Sequence, residues 1–473
     1  MSEKTRHAAN TESIRIRLVK YIHWLLIVAL FYAAWKLFRA TNTNWRYAKS
    51  VRYDLLITAA YAALVMWFDN TFNAYTLGYF RIRSLAFSQF LAEFFSVVIV
   101  YAAVSFGWFK AHNPAVFLPM LLVQIAVNCV WSYLATKYYY LLVRQYHTVV
   151  IYRSEKDLRR FGDITGKPIE RLFRVEKYIR YNGTDYFALK EQIADFDAIF
   201  VAGVNPTLMN SLCKYCVEYG VRGFFLPHIG DVIMGGAEHI KSFSTPVLSV
   251  RRATKSLEYF MVKRLFDILC SLLGLILLSP LMLLTALAIK LYDGGPVFYR
   301  QVRLTKDGKR FQILKFRSMR TDAEKDGVAR LSTGNRDERI TPVGRVIRAC
   351  RLDELPQLIN ILKGDMTIVG PRPERPEIAA EIEKTLPEFR LRLQVKAGLT
   401  GYAQVYGKYN SAPYEKLEFD LLYINHMNVF TDLELMFNTF RIMFSRESTD
   451  GFEDQTPWNH EPEEEREEAA AVK

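Results

Sequence analysis

The sequence predicts a membrane protein of mixed α and α/β class: four transmembrane helices, a Rossmann-like α/β domain, and a mostly helical C-terminal domain joined to the bilayer by a re-entrant helix. Three observations predict it. Five apolar stretches stand out of a chain that is otherwise 23% charged. A run of short β-branched segments alternating with helical sequence follows the fourth stretch. The fifth stretch carries a proline at its centre and basic residues on both flanks. The 473 residues suffice for two or three domains, and the 51% apolar content, with 32 Phe and 27 Tyr, must be segregated to coexist with that charge.

The first four stretches, about 19–38, 53–68, 85–109 and 114–136, fall within a first block at 1–146. Spanning takes about 20 residues, so the second is short and must recruit flanks such as Trp67 and Phe68. Lys4, Arg6, Arg15, Arg17 and Lys20 precede the first helix, which places both ends of an even-numbered block on the cytoplasmic side. Arg39, Arg46, Lys49 and Arg52, between the first two helices, disagree with that rule. Glu93 is expected near the cytoplasmic end of the third helix, because Arg81 and Arg83 lie just upstream. The first helix continues into charged sequence without a small-residue cleavage site, so no cleavable signal is expected.

A soluble domain at 147–250 comes next. Segments 148–152, 198–201 and 223–226 read as buried strands, with a helix over 208–219. The first strand runs into Arg153-Ser-Glu-Lys and lacks the glycine turn that brings a pyrophosphate to a helix N-terminus, so no dinucleotide is expected there. A scaffolding or regulatory role suits it. Cys213 and Cys216 have CxxC spacing without a second pair or nearby histidines, which reads as two helix thiols; five cysteines in all indicate reduced thiols, not a disulfide framework.

The third part, 251–450, opens on the fifth stretch, 268–289, interrupted by Ser279-Pro280. Proline removes a backbone donor and crowds the preceding turn, so a kink or break is expected. Each limb then spans about 17 Å, roughly half the hydrocarbon thickness. Arg251, Arg252, Lys255, Lys263 and Arg264 precede the stretch; Lys290, Arg300, Arg303, Lys306 and Lys309 follow it. Both ends therefore belong in the cytoplasm, and the helix, about 264–291, enters and leaves on one side. An acidic segment at 451–473, expected to be disordered, carries no assigned site.

Charge narrows the partners. The net charge is +13, yet the last 21 residues hold eight acids against two bases, so the remainder carries +19. Such a surplus suits nucleic acid or an anionic membrane leaflet with a phosphate-bearing substrate, and the apolar stretches favour the membrane over nucleic acid.

Three clusters in 251–450 carry chemistry. Lys315 and Arg317 follow a β-like run and form a basic pair suited to holding phosphates or to lining a surface. Asp353 and Glu354 precede Pro356 and Gln357, near a helix N-terminus that stabilises acids, with Arg345, Arg348 and Arg351 just upstream to bring phosphate to them. Adjacent acids on a helix point about 100° apart, so one can attack while the other holds a metal. Arg372 sits between Pro371 and Pro373, a rigid guanidinium suited to bidentate phosphate contact.

These residues stand in ordered motifs: Lys263-Arg-Leu-Phe-Asp-Ile, Ser279-Pro280, Gly295-Pro-Val-Phe-Tyr-Arg-Gln-Val-Arg, Lys315-Phe-Arg-Ser-Met, Leu352-Asp-Glu-Leu-Pro-Gln-Leu-Ile-Asn, Gly364-Asp-Met-Thr-Ile-Val-Gly-Pro-Arg-Pro and Gly398-Leu-Thr-Gly-Tyr-Ala-Gln-Val-Tyr-Gly. Over 263–432 the chain closely resembles the bacterial sugar transferase family, the polyprenyl-phosphate hexose-1-phosphate transferases, and its upstream parts look like the large form of that family. The resemblance implies a catalytic domain with a re-entrant helix, a cytoplasmic active site at the bacterial inner membrane, and Mg²⁺ dependence. It implies Asp353 as nucleophile and Glu354 as metal ligand, with Lys315, Arg317, Arg348 and Arg372 handling the nucleotide sugar or lipid phosphate; Arg345, Arg351 and Gln357 join the substrate-binding set. The expected partners are a UDP-hexose, glucose or galactose, and undecaprenyl phosphate, a polyprenyl phosphate lipid. The expected reaction yields undecaprenyl-diphosphate-sugar and UMP at the start of exopolysaccharide, capsule or O-antigen synthesis. A membrane glycosyltransferase releasing UDP and a non-enzymatic regulator of polysaccharide export are the rivals. The sequence is compatible with a homo-oligomer and does not specify one. Two positions depart from the family pattern: Thr305 stands where glycine is usual, and Arg351 where Ser or Asn is common.

Overall fold

A computed structural model describes residues 3–41, 51–107, 113–162, 170–183, 185–240, 245–252, 255–323, 337–407 and 412–443. The acidic segment 451–473 lies outside the described residues, as do Arg46 and Lys49. Two compact units divide the chain after His228.

The first unit begins with α1 (Glu3–Thr41), α2 (Val51–Thr71), α3 (Ile82–Gly107) and α4 (Phe117–Leu142). Each contains a segment long and apolar enough to cross a membrane. Residues of all four meet in one core of Ile27, Phe31, Trp35, Tyr61, Val65, Val100 and Phe117. The second helix is longer than its apolar run, and Asp54 in its first turn is buried and paired: Arg39 lies 2.9 Å from it and the Trp35 indole N–H donates to it at 2.9 Å. One of the loop cations that disagreed with the charge rule is thereby accounted for. Glu93 is not at a helix end. It is buried well inside α3, where the Asn128 amide donates to it at 3.0 Å, and His23, Tyr75, Gln89 and Ser132 continue a polar interior. Upstream arginines mark where a helix starts; they do not fix how deep an acid sits when other helices supply donors.

The rest of this unit is an α/β layer: β1 (Tyr146–Tyr152), α5 (Glu155–Gly162), β2 (Phe173–Arg180), α6 (Tyr186–Ile193), β3 (Ala198–Ala202), α7 (Pro206–Tyr219) and β4 (Arg222–Phe225). The four strands are parallel in the order β2-β1-β3-β4. The central strands carry apolar runs, 149–151 in β1 and all of β3, and were legible; β2 is a charged, alternating edge strand, FRVEKYIR, and was not. After β1, where the sequence lacks a glycine turn, the chain forms an internal cap, with Asp157 accepting from the Ser154 N–H and hydroxyl. Cys213 and Cys216 both lie on α7 as free thiols.

The second unit starts with α8 (Ile229–Gly235) and the hairpin of β5 (Glu238–Ile240) and β6 (Val247–Ser249). The sequence placed this stretch with the preceding strands, whereas the Asn425 amide donates to Val232 O at 2.7 Å and binds it to the C-terminal core. Then come α9 (Leu257–Asp293), the antiparallel pair β7 (Phe298–Leu304) and β8 (Arg310–Phe316), α10 (Pro342–Ala349), α11 (Gln357–Lys363), β9 (Thr367–Val369), α12 (Pro376–Thr385), β10 (Gly398–Thr400), α13 (Tyr402–Val405), α14 (Pro413–His426) and α15 (Val429–Met443).

The expected interruption at Ser279-Pro280 is absent as a break in secondary structure: α9 is one continuous helix of 37 residues with Pro280 inside. The reason is local. Pro280 cannot donate to Ile276 O, and the Ser279 hydroxyl donates to that same carbonyl at 2.8 Å, so no acceptor is orphaned. The two ends of α9 have different surroundings. At its start Arg264 caps the last carbonyls of α11, Ile361 O at 2.6 Å and Leu362 O at 2.7 Å, while Asp267 accepts from Ile368 N and the Thr367 hydroxyl. Further on, Leu273, Ile276, Leu277, Leu283 and Leu284 are exposed. So large an apolar surface on one helix calls for lipid.

Candidate active site

The site is assembled where β8 ends beside α11. Asn360, inside α11, accepts from Leu314 N at 2.9 Å and donates to Gln312 O at 2.8 Å, pinning β8 against the helix. The next residue of that strand is Lys315, and its ammonium donates to Glu354 Oε1 at 2.9 Å. Arg372 reaches the same oxygen at 2.8 Å from the Pro-Arg-Pro loop. That loop is fixed by close backbone approach: Gly370 N donates to Thr400 O, Gly398 N donates to Pro371 O, and a Cβ on Gly398 would lie 2.1 Å from Gly370 N. Motifs distant in sequence thus meet on one carboxylate.

Asp353 and Glu354 lie in a 3₁₀ turn, Leu352–Glu354, just before α11. Their environments separate their proton affinities. Burial and the neighbouring Glu354 charge raise the Asp353 carboxyl above its usual range, against Lys315, Arg348 and Arg351. For Glu354 burial alone would do the same, but Arg372, Lys315 and Arg351 together hold it well below. Burial lowers the Lys315 ammonium. Glu354 is therefore the carboxylate held ionised, and Asp353 the one whose charge is costly. Both of these contacts fall on Oε1 of Glu354. Among the described residues no group of three or more metal-ligating side chains occurs, so a metal here would take its remaining ligands from water and substrate, as Mg²⁺ commonly does.

The remaining expected residues divide. Arg348 and Arg351 bear electrostatically on Asp353. Arg351 adopts φ +56°, a left-handed conformation that Asn tolerates better than Arg, and nothing in the structure explains the departure at this position. Gln357 is buried at the start of α11, and Arg345 is exposed on α10. Arg317 is not directed at the acids. It is 7% exposed and forms a two-pronged pair with Asp293 at the end of α9, one arm at 2.9 Å, over Gly295, where any Cβ would strike the guanidinium. Thr305 suits its place: its hydroxyl donates to Asp365 O at 2.9 Å and accepts from Ala397 N, while Asp307 and Gly308 take the left-handed conformations of the turn.

Sequence reasoning missed a supporting layer. Buried Arg392 donates to Arg372 O at 2.9 Å and pairs with Asp420 at 2.8 Å, and Arg303 donates to Pro373 O at 3.2 Å. Arg303 fell in a recognised motif; Arg392 and Asp420 carry no local signal.

The family model described as bacterial sugar transferase matches residues 258–446, which hold every element of this site. A UDP-glucose:undecaprenyl-phosphate glucose-1-phosphate transferase of Caulobacter vibrioides is 40% identical over 182 residues, 37% of this chain and 67% of the relative. The chain belongs to the bacterial sugar transferase family. A transferase of the same name from Klebsiella pneumoniae is 43% identical over 248 residues, 51% of each chain. A UDP-N-acetylgalactosamine-undecaprenyl-phosphate N-acetylgalactosaminephosphotransferase of Aeromonas hydrophila is 40% identical over 190 residues, 40% of this chain and 44% of the relative. The match spans about half the length of these last two curated relatives.

Proposed function

We propose that this bacterial sugar transferase moves hexose-1-phosphate from a UDP-hexose to undecaprenyl phosphate at the cytoplasmic face of the inner membrane, releasing UMP. The observation that carries it is the pairing of Lys315 and Arg372 on one oxygen of Glu354 beside Asp353. Phosphoryl transfer needs a nucleophile surrounded by cations, because an anion cannot approach a diphosphate otherwise.

In the proposed mechanism an Asp353 oxygen attacks the sugar-bearing phosphorus of the donor. The bond to the bridging oxygen breaks, and UMP leaves with that electron pair. An oxygen of the lipid phosphate then attacks the same phosphorus and returns Asp353 as a free carboxylate. Lys315, Arg348, Arg351 and Arg372 offset the charge that accumulates. Glu354, kept ionised, is the residue that would hold Mg²⁺, which when bound neutralises the donor diphosphate. Two displacements let one site serve a soluble donor and a lipid acceptor in turn.

Five helices long and apolar enough to cross a membrane support the membrane placement. The four helices of the first unit anchor the chain, and α9 enters the cytoplasmic leaflet and returns, bent at Pro280, with its apolar face in lipid. The relatives' names span glucose and N-acetylgalactosamine, so the donor is proposed as a UDP-hexose with or without an acetamido group. Product identity tests the reading. Purified protein given a UDP-sugar panel, Mg²⁺ and undecaprenyl phosphate should release UMP; release of UDP would make it a glycosyltransferase, and no turnover of any donor would favour a regulator.

A further inference from the structure

The second unit contains a cleft of about 1050 Å³ that the proposed chemistry does not use. Its floor is apolar, with Ile233, Leu304, Leu393, Leu421 and Ile424, and its rim is net basic, with Arg251, Arg252, Lys255, Arg310 and Arg390 against Glu238, Asp307 and Glu383. Arg251 pairs with Glu238 and Arg252 with Asp307. Arg310 and Arg390 are exposed and pair with no carboxylate among the described residues. The cleft is separate from the acid pair: Arg310 and Lys315 lie at opposite ends of β8, about 17 Å apart at the usual strand rise.

The chain itself contains a segment complementary to this cleft. Residues 452–468 hold eight acids and one base, together with Phe452 and Trp458. An acidic segment with two aromatic residues matches a basic rim over an apolar floor. It is also within reach. Leu421, Ile424 and Asn425 of α14 line the cleft, and α15 begins a few residues later and runs 15 residues, about 22 Å. The residues between Met443 and Glu453 can extend roughly 30 Å, enough to return over that distance. Covalent attachment gives such a segment an effective concentration in the millimolar range, which favours it over free anions of equal intrinsic affinity.

We propose that this cleft is the docking site of the chain's own acidic segment 452–468, with Trp458 over the apolar floor and its glutamates against Arg310 and Arg390. Carbodiimide coupling, which joins an amine to a carboxylate in direct contact, tests it on the full chain in detergent. At low salt, mass spectrometry should find Lys255 or Lys309 joined to glutamates of 461–468 within one molecule. The double variant Arg310→Glu/Arg390→Glu keeps both lysines and every tail carboxylate; it should reduce that product at least tenfold, as should 0.5 M NaCl. Absence of the product while Lys255 remains reactive to a monofunctional amine reagent would overturn the assignment. So would a product that the double variant leaves unchanged, or one found between differently isotope-labelled copies.

Discussion

Replacing Lys315 with methionine tests the electrostatic core of the site, because Met keeps much of the side-chain volume and removes only the charge. The ammonium lies 2.9 Å from Glu354 Oε1, and the two side chains are 20% and 12% exposed. At an effective dielectric of about 20 their gross attraction is about 6 kcal/mol. Desolvation offsets much of it, and removing one partner of a buried pair typically costs about 3 kcal/mol net. At about 1.4 kcal/mol per decade, Lys315→Met should lower kcat/KM for UMP release roughly 100-fold. Arg372 is more exposed, at 38%, so solvent screens it and Arg372→Met should cost nearer tenfold. The double variant should lose more than the product of the two, because each single variant leaves Glu354 one cation on Oε1 and the double leaves it only the electrostatic support of Arg351. Initial rates at saturating Mg²⁺, with circular dichroism to confirm folding, would measure this. A loss below threefold for Lys315→Met would refute the claim that Glu354 depends on it.

Three further outcomes are expected. Asp353 must be ionised to attack, and its carboxyl is raised by burial and by the Glu354 charge, so kcat/KM should fall as pH drops through a value above that of an ordinary aspartate. Glu354→Gln removes that charge and should move the acid limb of the residual activity to lower pH; an unmoved or raised limb would contradict the coupling. Asn360→Leu leaves Leu314 N and Gln312 O without partners, a cost of about 2 kcal/mol, and should lower the unfolding temperature by several degrees and depress activity; wild-type values for both would show that α11 does not position Lys315. Cysteines introduced near Lys255 and Arg300 should both be labelled only from the cytoplasmic side, and Pro280→Ala should expose the second site to the other side while depressing activity; periplasmic labelling of that site in the parent protein would reject the re-entrant arrangement.

What the sequence revealed and what it hid have a common cause. Apolar length exposed the long helices, short apolar runs exposed the central strands β1 and β3, adjacent acids beside arginines marked Asp353 and Glu354, and two flanking prolines marked Arg372. All of these are local signals. Contacts between residues far apart in the chain leave no period to read. Arg317 stands two residues from Lys315, yet its guanidinium goes to Asp293 and not to the acids. Arg392 and Asp420 support Arg372 from helical positions that read in sequence like ordinary surface charge. Glu93 was misplaced for the same reason, since the depth of an acid within a bundle depends on donors such as Asn128 from another helix. The continuity of α9 through Pro280 turned on one serine hydroxyl reaching one carbonyl.

The most direct test of the central claim, that Asp353 carries the sugar-phosphate, leaves out the lipid. Enzyme mixed with a radiolabelled UDP-hexose and Mg²⁺, without undecaprenyl phosphate, is quenched and separated from small molecules. The account predicts a burst of up to one equivalent of UMP with label retained on the protein, both abolished by Asp353→Asn. Enzyme that is fully active with lipid yet releases no UMP without it would contradict the account and require direct attack by the lipid phosphate.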